Sequence, residues 1–129
     1  MDLQTTIKAS SVIGAVYASN CIFMTDKYLE DQGVEVNSNT KYITRGLAGG
    51  VIGLTVSTIL AGFNSNSSKE TLDVIAKAHV ASFSFWLSSS LYQITQTKHE
   101  KETPVGPKVD AGICAAMLTL FATSLLKSD

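Results

Sequence analysis

Four stretches of the chain lack Asp, Glu, Lys and Arg, and short connecting segments carry nearly all of those residues. The uncharged stretches run from Ala9 to Thr25, from Gly46 to Ser68, from Ala78 to Thr97 and from Ala111 to Leu126. Apart from His79, their polar positions are mostly Ser, Thr, Asn and Gln. A helix that faces water normally carries Lys, Glu or Arg on its solvated side every three or four residues. The pattern therefore indicates helices that face lipid or other protein.

The lengths of these stretches match a bilayer, because a helix crosses the hydrocarbon in about 17–25 residues. We predict an all-α fold in which one integral membrane domain, residues 1–129, forms a four-helix transmembrane bundle. The predicted spans cover residues 3–24, 44–63, 72–95 and 109–127. A soluble or peripheral helical bundle is the alternative.

The spans also resemble one another in pairs. In a sequence alignment, the first span matches the third when Tyr17 is aligned with Trp86. The second span matches the fourth when Leu54 is aligned with Leu118. This pattern predicts a duplicated two-helix hairpin whose copies cross the membrane in the same direction, a parallel repeat. Chance similarity is the competing interpretation, since membrane helices share a restricted composition.

The net charge and the N-terminal sequence narrow the predicted location of the protein and its possible partners. The formal net charge is −1 with both signs interleaved, so no basic patch indicates nucleic acid. Near Asp2 there is one Lys and no Arg, and no short apolar core with a small-residue cleavage site follows. We expect a retained first span and an integral membrane location, with an organellar inner membrane among the candidates. Cys21 and Cys114 fall within spans, as small buried hydrophobic residues do.

Glycine is concentrated in the second span. Gly46 with Gly50, and Gly49 with Gly53, form two overlapping GxxxG pairs. Such pairs allow close helix packing, where van der Waals contact replaces the hydrophobic drive that is absent in lipid. The partner is either another helix of this chain or a helix of another subunit or copy. A conduction path lined by glycine is a weaker alternative.

Serine gives the third span an unusually polar face, with Ser82, Ser88 and Ser89 as its main members. One interpretation is the wall of a pore or substrate path. The other is hydrogen bonding between helices. We favour the second because no charged residue lies at mid-membrane in this span to gate, bind or relay an ion.

An ionisable pair lies near the start of the third span, where Lys77 and His79 precede Trp86. An intramembrane ionisable residue is a functional candidate by default, but snorkelling is cheap near a boundary. Haem or metal binding through His79 would need a second ligand, and the other histidine, His99, lies in a charged segment. We interpret these residues as an interfacial site beside an aromatic cluster.

The sequence contains no recognisable catalytic pattern, such as paired carboxylates within a span or a nucleophile with a base. We expect no enzyme activity and no cofactor, although bound lipid fits such a surface. The favoured function is a non-catalytic, structural or accessory subunit of a respiratory, ATP-synthase, photosynthetic or viral membrane assembly, whose partners are other membrane subunits or further copies. The alternative is a small oligomeric transporter or channel lined by the serine-rich span. A redox or metal-handling enzyme using His79 ranks last.

Overall fold

The computed structural model describes residues 1–97 and 104–128, and this part of the chain is helical without strands. Its helices are α1 (Leu3–Phe23), α2 (Thr25–Asp31), α3 (Ser38–Phe63), α4 (Lys69–Thr97) and α5 (Val105–Ser128). The predicted all-α class is therefore confirmed. Four of the helices overlap the four predicted spans, and the short α2 was not predicted.

Length and composition make two helices candidate membrane spans, Ser38–Phe63 and Val105–Lys127. Leu3–Phe23 and Thr25–Asp31 meet the same criterion only together, as a segment bent by 107°. Within the described residues α4 does not meet it. Its uncharged stretch from Ala78 to Thr97 is long enough, but His79, the serines and the glutamines lower its mean hydropathy. The chain thus has the features of a helical membrane protein, and a complete four-span bundle stays a prediction.

Local hydrogen bonds set where the helices begin and end. Asp2 caps α1 by accepting from the Thr5 backbone N–H at 2.8 Å and from the Thr5 hydroxyl at 2.9 Å. Both bonds favour the ionised carboxylate, so they lower the pKa of Asp2. Asn37 and Thr40 form a capping box at the start of α3. At the far end of α1 the Thr25 hydroxyl donates to the Cys21 carbonyl at 2.7 Å, and the bend follows.

The bend turns α2 across one end of the helices. A salt bridge of 2.9 Å between Lys41 and Asp26 joins α2 to the start of α3. After α2 the chain turns at Gly33, whose φ of 69° favours glycine. A Cβ at Gly33 would overlap the Pro104 ring, so this turn packs directly beneath the beginning of α5.

The long helices pack mainly as two pairs, each made of long helices that follow one another along the chain. α1 packs most extensively against α3, and α4 packs most extensively against α5. Additional contacts of α1 with α4 and α5 join the two pairs, whereas α3 touches α4 over a small area only. One stripe of α3 faces the other helices, and its buried residues are Thr44, Ala48, Thr55, Thr58, Ala61 and Gly62. The rest of the α3 surface is largely exposed.

The apolar core lies toward the end of the bundle that carries the N-terminus and the α3–α4 turn. Leu3, Ile7, Ala76, Met117 and Phe121 form one buried cluster drawn from α1, α4 and α5. Nearby, a buried hydrogen bond of 2.7 Å joins the hydroxyls of Thr6 and Ser124. The helices are thus held tightly at this end, and polar side chains meet at the opposite end.

Candidate functional site

The predicted glycine face lies on the outer surface of α3. A Cβ built at Gly46, Gly49, Gly50 or Gly53 would meet no described atom within 4 Å. The intervening Leu47 is 64% exposed. These four glycines therefore leave an open, shallow strip on α3 that the described helices of this chain do not cover.

Two other glycines make the close approach between α1 and α3. A Cβ at Gly14 of α1 would overlap the Thr55 hydroxyl of α3. A Cβ at Gly62 of α3 would lie 3.1 Å from Cγ2 of Ile7 and 3.5 Å from the Lys8 backbone nitrogen. Sequence reasoning did not single out either residue, because an isolated glycine in a helix gives no spacing signal.

The predicted serine face is also exposed. Ser82, Ser88 and Ser89 lie on the outer side of α4. The Ser88 hydroxyl donates to the Ser84 carbonyl at 2.9 Å, a bond to its own helix that lets serine face lipid. Ser88 and Ser89 line an open groove of about 460 Å³ together with Gln93 and other residues near the end of α4.

His79 lies inside the bundle, where α3, α4 and α5 meet. Its Nε2 is 2.8 Å from the Thr58 hydroxyl oxygen, and that hydroxyl donates to the Leu54 carbonyl at 2.7 Å. Because a hydroxyl has a single proton to donate, Nε2 of His79 carries the hydrogen and donates to Thr58. The ring stacks on Phe121 at 5.4 Å and on Phe83 at 5.9 Å. His79 thus has the packing of a core residue.

The three residues of the predicted interfacial site have different surroundings. Lys77 is exposed, His79 is buried in the junction just described, and Trp86 packs about two turns further along α4. His99, the second histidine considered for a metal, lies outside the described residues. Within the described ranges no group of three or more His, Cys, Asp or Glu side chains is placed to hold a metal ion.

Trp86 belongs to an aromatic cluster at the end of the bundle near the bend. The Tyr17 ring meets the Trp86 ring edge-on at 4.3 Å and the Tyr28 ring edge-on at 5.5 Å. The hydroxyls of Tyr17 and Tyr28 are 2.7 Å apart and hydrogen-bonded. The bend between α1 and α2 brings the two tyrosines together, since it folds Tyr28 back beside α1.

A chain of side-chain hydrogen bonds adjoins these rings. The Gln32 amide donates to Oδ2 of Asp110 at 2.8 Å, and the Gln93 amide donates to the Gln32 carbonyl at 2.6 Å. The Trp86 side chain also hydrogen-bonds to the Asp110 carboxylate. The bonds connect the exit of α2 with α4 and α5. Sequence reasoning does not group these residues, because Gln32 is 61 positions from Gln93 and 78 positions from Asp110.

These residues line a cleft of about 280 Å³ between α3 and α4. The α3 wall carries Ile43 and Leu47 together with two threonines, whereas the α4 wall carries Ser89, Ser90 and Gln93. Tyr17, Tyr28, Trp86 and Asp110 also line it. The cleft exists because α3 and α4 are joined by the Thr58–His79 bond near their connecting turn and make few contacts elsewhere. It is the most chemically varied site in the described part of the chain.

The two cysteines lie near this end of the bundle. Cys21 and Cys114 are both buried and both free thiols, as the sequence led us to expect of small hydrophobic residues.

Comparison with protein-family models, with curated proteins and with solved structures gave no match for this chain. In its described residues the chain is all-helical, with two helices long and apolar enough to cross a membrane.

Proposed function

We propose that the chain is a non-catalytic, multi-pass membrane subunit with a structural or accessory role in a larger complex. The observation that carries the proposal is the open strip of Gly46, Gly49, Gly50 and Gly53 on the outer side of α3. A respiratory, ATP-synthase, photosynthetic or viral membrane assembly would each use such a subunit. An organellar inner membrane is one location that suits the first three.

The energetics of glycine support a packing role. A glycine inside a helix costs about 1 kcal/mol relative to alanine, and the described helices of this chain give the four glycines no close contact in return. A neighbouring transmembrane helix would supply that contact, because small residues four apart let two backbones approach. The strip therefore favours a partner outside this chain over the internal partner that the sequence left open.

The pairing of the helices supports the proposed internal repeat. A duplicated hairpin would give two antiparallel pairs of neighbours, and the closest packing is that of α1 with α3 and of α4 with α5. The offset that sets Tyr17 on Trp86 also sets α1 on α4. In this proposal α2 would be an addition to the first copy alone.

Substitution within the glycine strip tests the packing role. We expect Gly50→Leu to remove the chain from its high-mass complex, because four side-chain carbons would fill the space that a partner backbone requires. The measurement is native gel electrophoresis after extraction in a gentle detergent. The isolated variant should unfold at the same temperature as the unsubstituted chain.

Gly112→Leu is the matched control, since Gly112 of α5 also has no described atom within 4 Å of its Cβ position but lies outside the strip. Its complex should be unchanged. The proposal is wrong if the unsubstituted chain migrates only as a monomer. It is equally wrong if Gly50→Leu assembles as well as Gly112→Leu does.

A small oligomeric transporter or channel is the second candidate, and the exposed groove beside Ser88 and Ser89 favours it. Several copies would have to join for that surface to enclose a path. Under this function, liposomes containing the protein release K⁺ or glycerol faster than empty liposomes, and Ser88→Leu slows the release. Ser19→Leu, an exposed position on α1, is the control. Release that does not change with Ser88→Leu excludes a path along this face.

A further inference from the structure

In a bilayer crossed by α3 and α5, the cleft between α3 and α4 would lie near the lipid headgroups. Thr44, Gln93 and Asp110 line it, and each is within about two helical turns of the helix end at the α2 side of the bundle. Its rim includes Ile43 and Leu47, which are exposed on the outer face of α3. The cleft therefore opens sideways, toward the surrounding lipid, near the membrane surface.

The charge of the cleft lining determines whether a cation or an anion would bind there. Asp110 is the one ionisable acid among the described residues that line the cleft, and none of those residues is Lys, Arg or His. Asp110 makes no salt bridge to a described residue, and its described partners are hydrogen-bond donors from Gln32 and Trp86. A half-buried carboxylate with no positive partner is costly to desolvate. A cation in the cleft would offset that cost.

The remaining lining narrows the class of cation. Tyr17, Tyr28 and Trp86 present aromatic rings, which attract ammonium groups electrostatically. Thr44 and Ser90 add hydroxyl oxygens that can accept hydrogen bonds from N–H groups. A metal ion would gain little from the rings, whereas a primary ammonium uses both the rings and the oxygens.

We propose that this cleft binds a primary ammonium group carried on an apolar chain, with the ammonium beside Asp110 and the aromatic rings and the chain along Ile43 and Leu47. The volume of about 280 Å³ suits a headgroup and the first part of a chain. The source is either an amino-headgroup lipid or a free amine. Binding here is independent of the glycine strip, which lies outside the cleft lining.

The chain supplies its own reporter, because Trp86 is its single tryptophan and lines the cleft. Purified protein in a non-ionic detergent is titrated with dodecylamine while Trp86 fluorescence is recorded. A saturable change is expected with dodecylamine and none with dodecanol or laurate, which carry the same chain without the ammonium. Equal saturable changes with all three compounds, or no change with dodecylamine, would overturn the proposal.

Two further arms identify the source of the ammonium group. In nanodiscs of phosphatidylcholine, added phosphatidylethanolamine should change the fluorescence and added phosphatidylglycerol should not, if the ligand is a lipid. In nanodiscs of phosphatidylcholine alone, added dodecylamine should change the fluorescence and added phosphatidylethanolamine should not, if the ligand is a free long-chain amine. Either result supports the proposed chemistry, and failure of both arms contradicts it.

Asp110→Asn should weaken dodecylamine binding about tenfold or more, because it removes the charge but keeps an oxygen that accepts from Gln32. Asp73→Asn, a carboxylate of α4 outside the cleft lining, should bind normally. Ser89 lines the cleft and is exposed, so the protein should tolerate Ser89→Lys. The lysine ammonium would occupy the cleft and should abolish dodecylamine binding. Ser82→Lys adds the same charge to the outer face of α4 away from the cleft and should leave binding intact. Normal binding by both Asp110→Asn and Ser89→Lys would refute the assignment.

Discussion

Gly14→Leu is expected to lower the free energy of unfolding by about 3 kcal/mol, the upper part of the range for inserting bulk into a packed site. A Cβ at Gly14 already overlaps the Thr55 hydroxyl, and the remaining leucine atoms would push α1 from α3. This is the largest helix contact in the described chain. The measurement is thermal or SDS-induced unfolding of the purified protein, followed by circular dichroism.

Gly53→Leu is the matched control for this result. It introduces the same side chain on the opposite surface of α3, where a Cβ meets no described atom within 4 Å. Its free energy of unfolding should equal the unsubstituted value or exceed it by up to about 1 kcal/mol, because leucine relieves the cost of glycine in a helix. If Gly53→Leu cost as much as Gly14→Leu, the register of α1 on α3 described here would be wrong.

The contrast between Gly14 and the glycine strip shows where sequence reasoning stops. The spacing of Gly46, Gly49, Gly50 and Gly53 correctly identified a strip of small residues on one helix face. It left open which neighbour that face meets, because helix rotation depends on every contact of the helix. Thr44, Ala48, Thr55 and Thr58 form the face that α3 turns inward. The Thr58 hydroxyl bonds to the Leu54 carbonyl and to His79, which spacing alone does not reveal.

Helix class and approximate helix positions followed from the uncharged stretches, since charge avoidance is a local property of the chain. The bend after Phe23 was not predicted. Phe23 and Met24 continue the apolar stretch without Gly or Pro, and the break depends on Thr25 bonding back to Cys21 while Lys41 pairs with Asp26. Such a tertiary arrangement overrides a sequence pattern that reads as one continuous helix.

The polar cleft was the least predictable feature. In the sequence, Asp110 lies at the start of the fourth predicted span and Gln32 lies between the first two. Their hydrogen bond of 2.8 Å spans 78 positions. Trp86 was singled out, but as part of a group with Lys77 and His79, and the structure gives these three residues separate surroundings. His79 and Phe83, four residues apart on α4, stack on each other instead.

Phe121→Ala is expected to lower the free energy of unfolding by about 3 kcal/mol, as for a large aromatic side chain removed from a packed core. Phe121 is 0% exposed and lies in the cluster that joins α1, α4 and α5. Its ring also stacks on His79 at a plane angle of 9°. Losing the ring therefore leaves a cavity and frees the imidazole that links α4 to Thr58 of α3.

Phe85→Ala separates this packing effect from a general loss of apolar surface. Phe85 is 76% exposed on α4, so its removal should change the free energy of unfolding by no more than about 0.5 kcal/mol. Phe121→Leu should recover part of the loss because it refills part of the cavity. Moving an apolar side chain from lipid into the protein interior gains little hydrophobic free energy, because lipid tails are equally apolar. The difference in unfolding free energy between the Phe85 and Phe121 variants therefore measures packing. Equal costs at Phe85 and Phe121 would mean that the tight contacts of this bundle lie elsewhere.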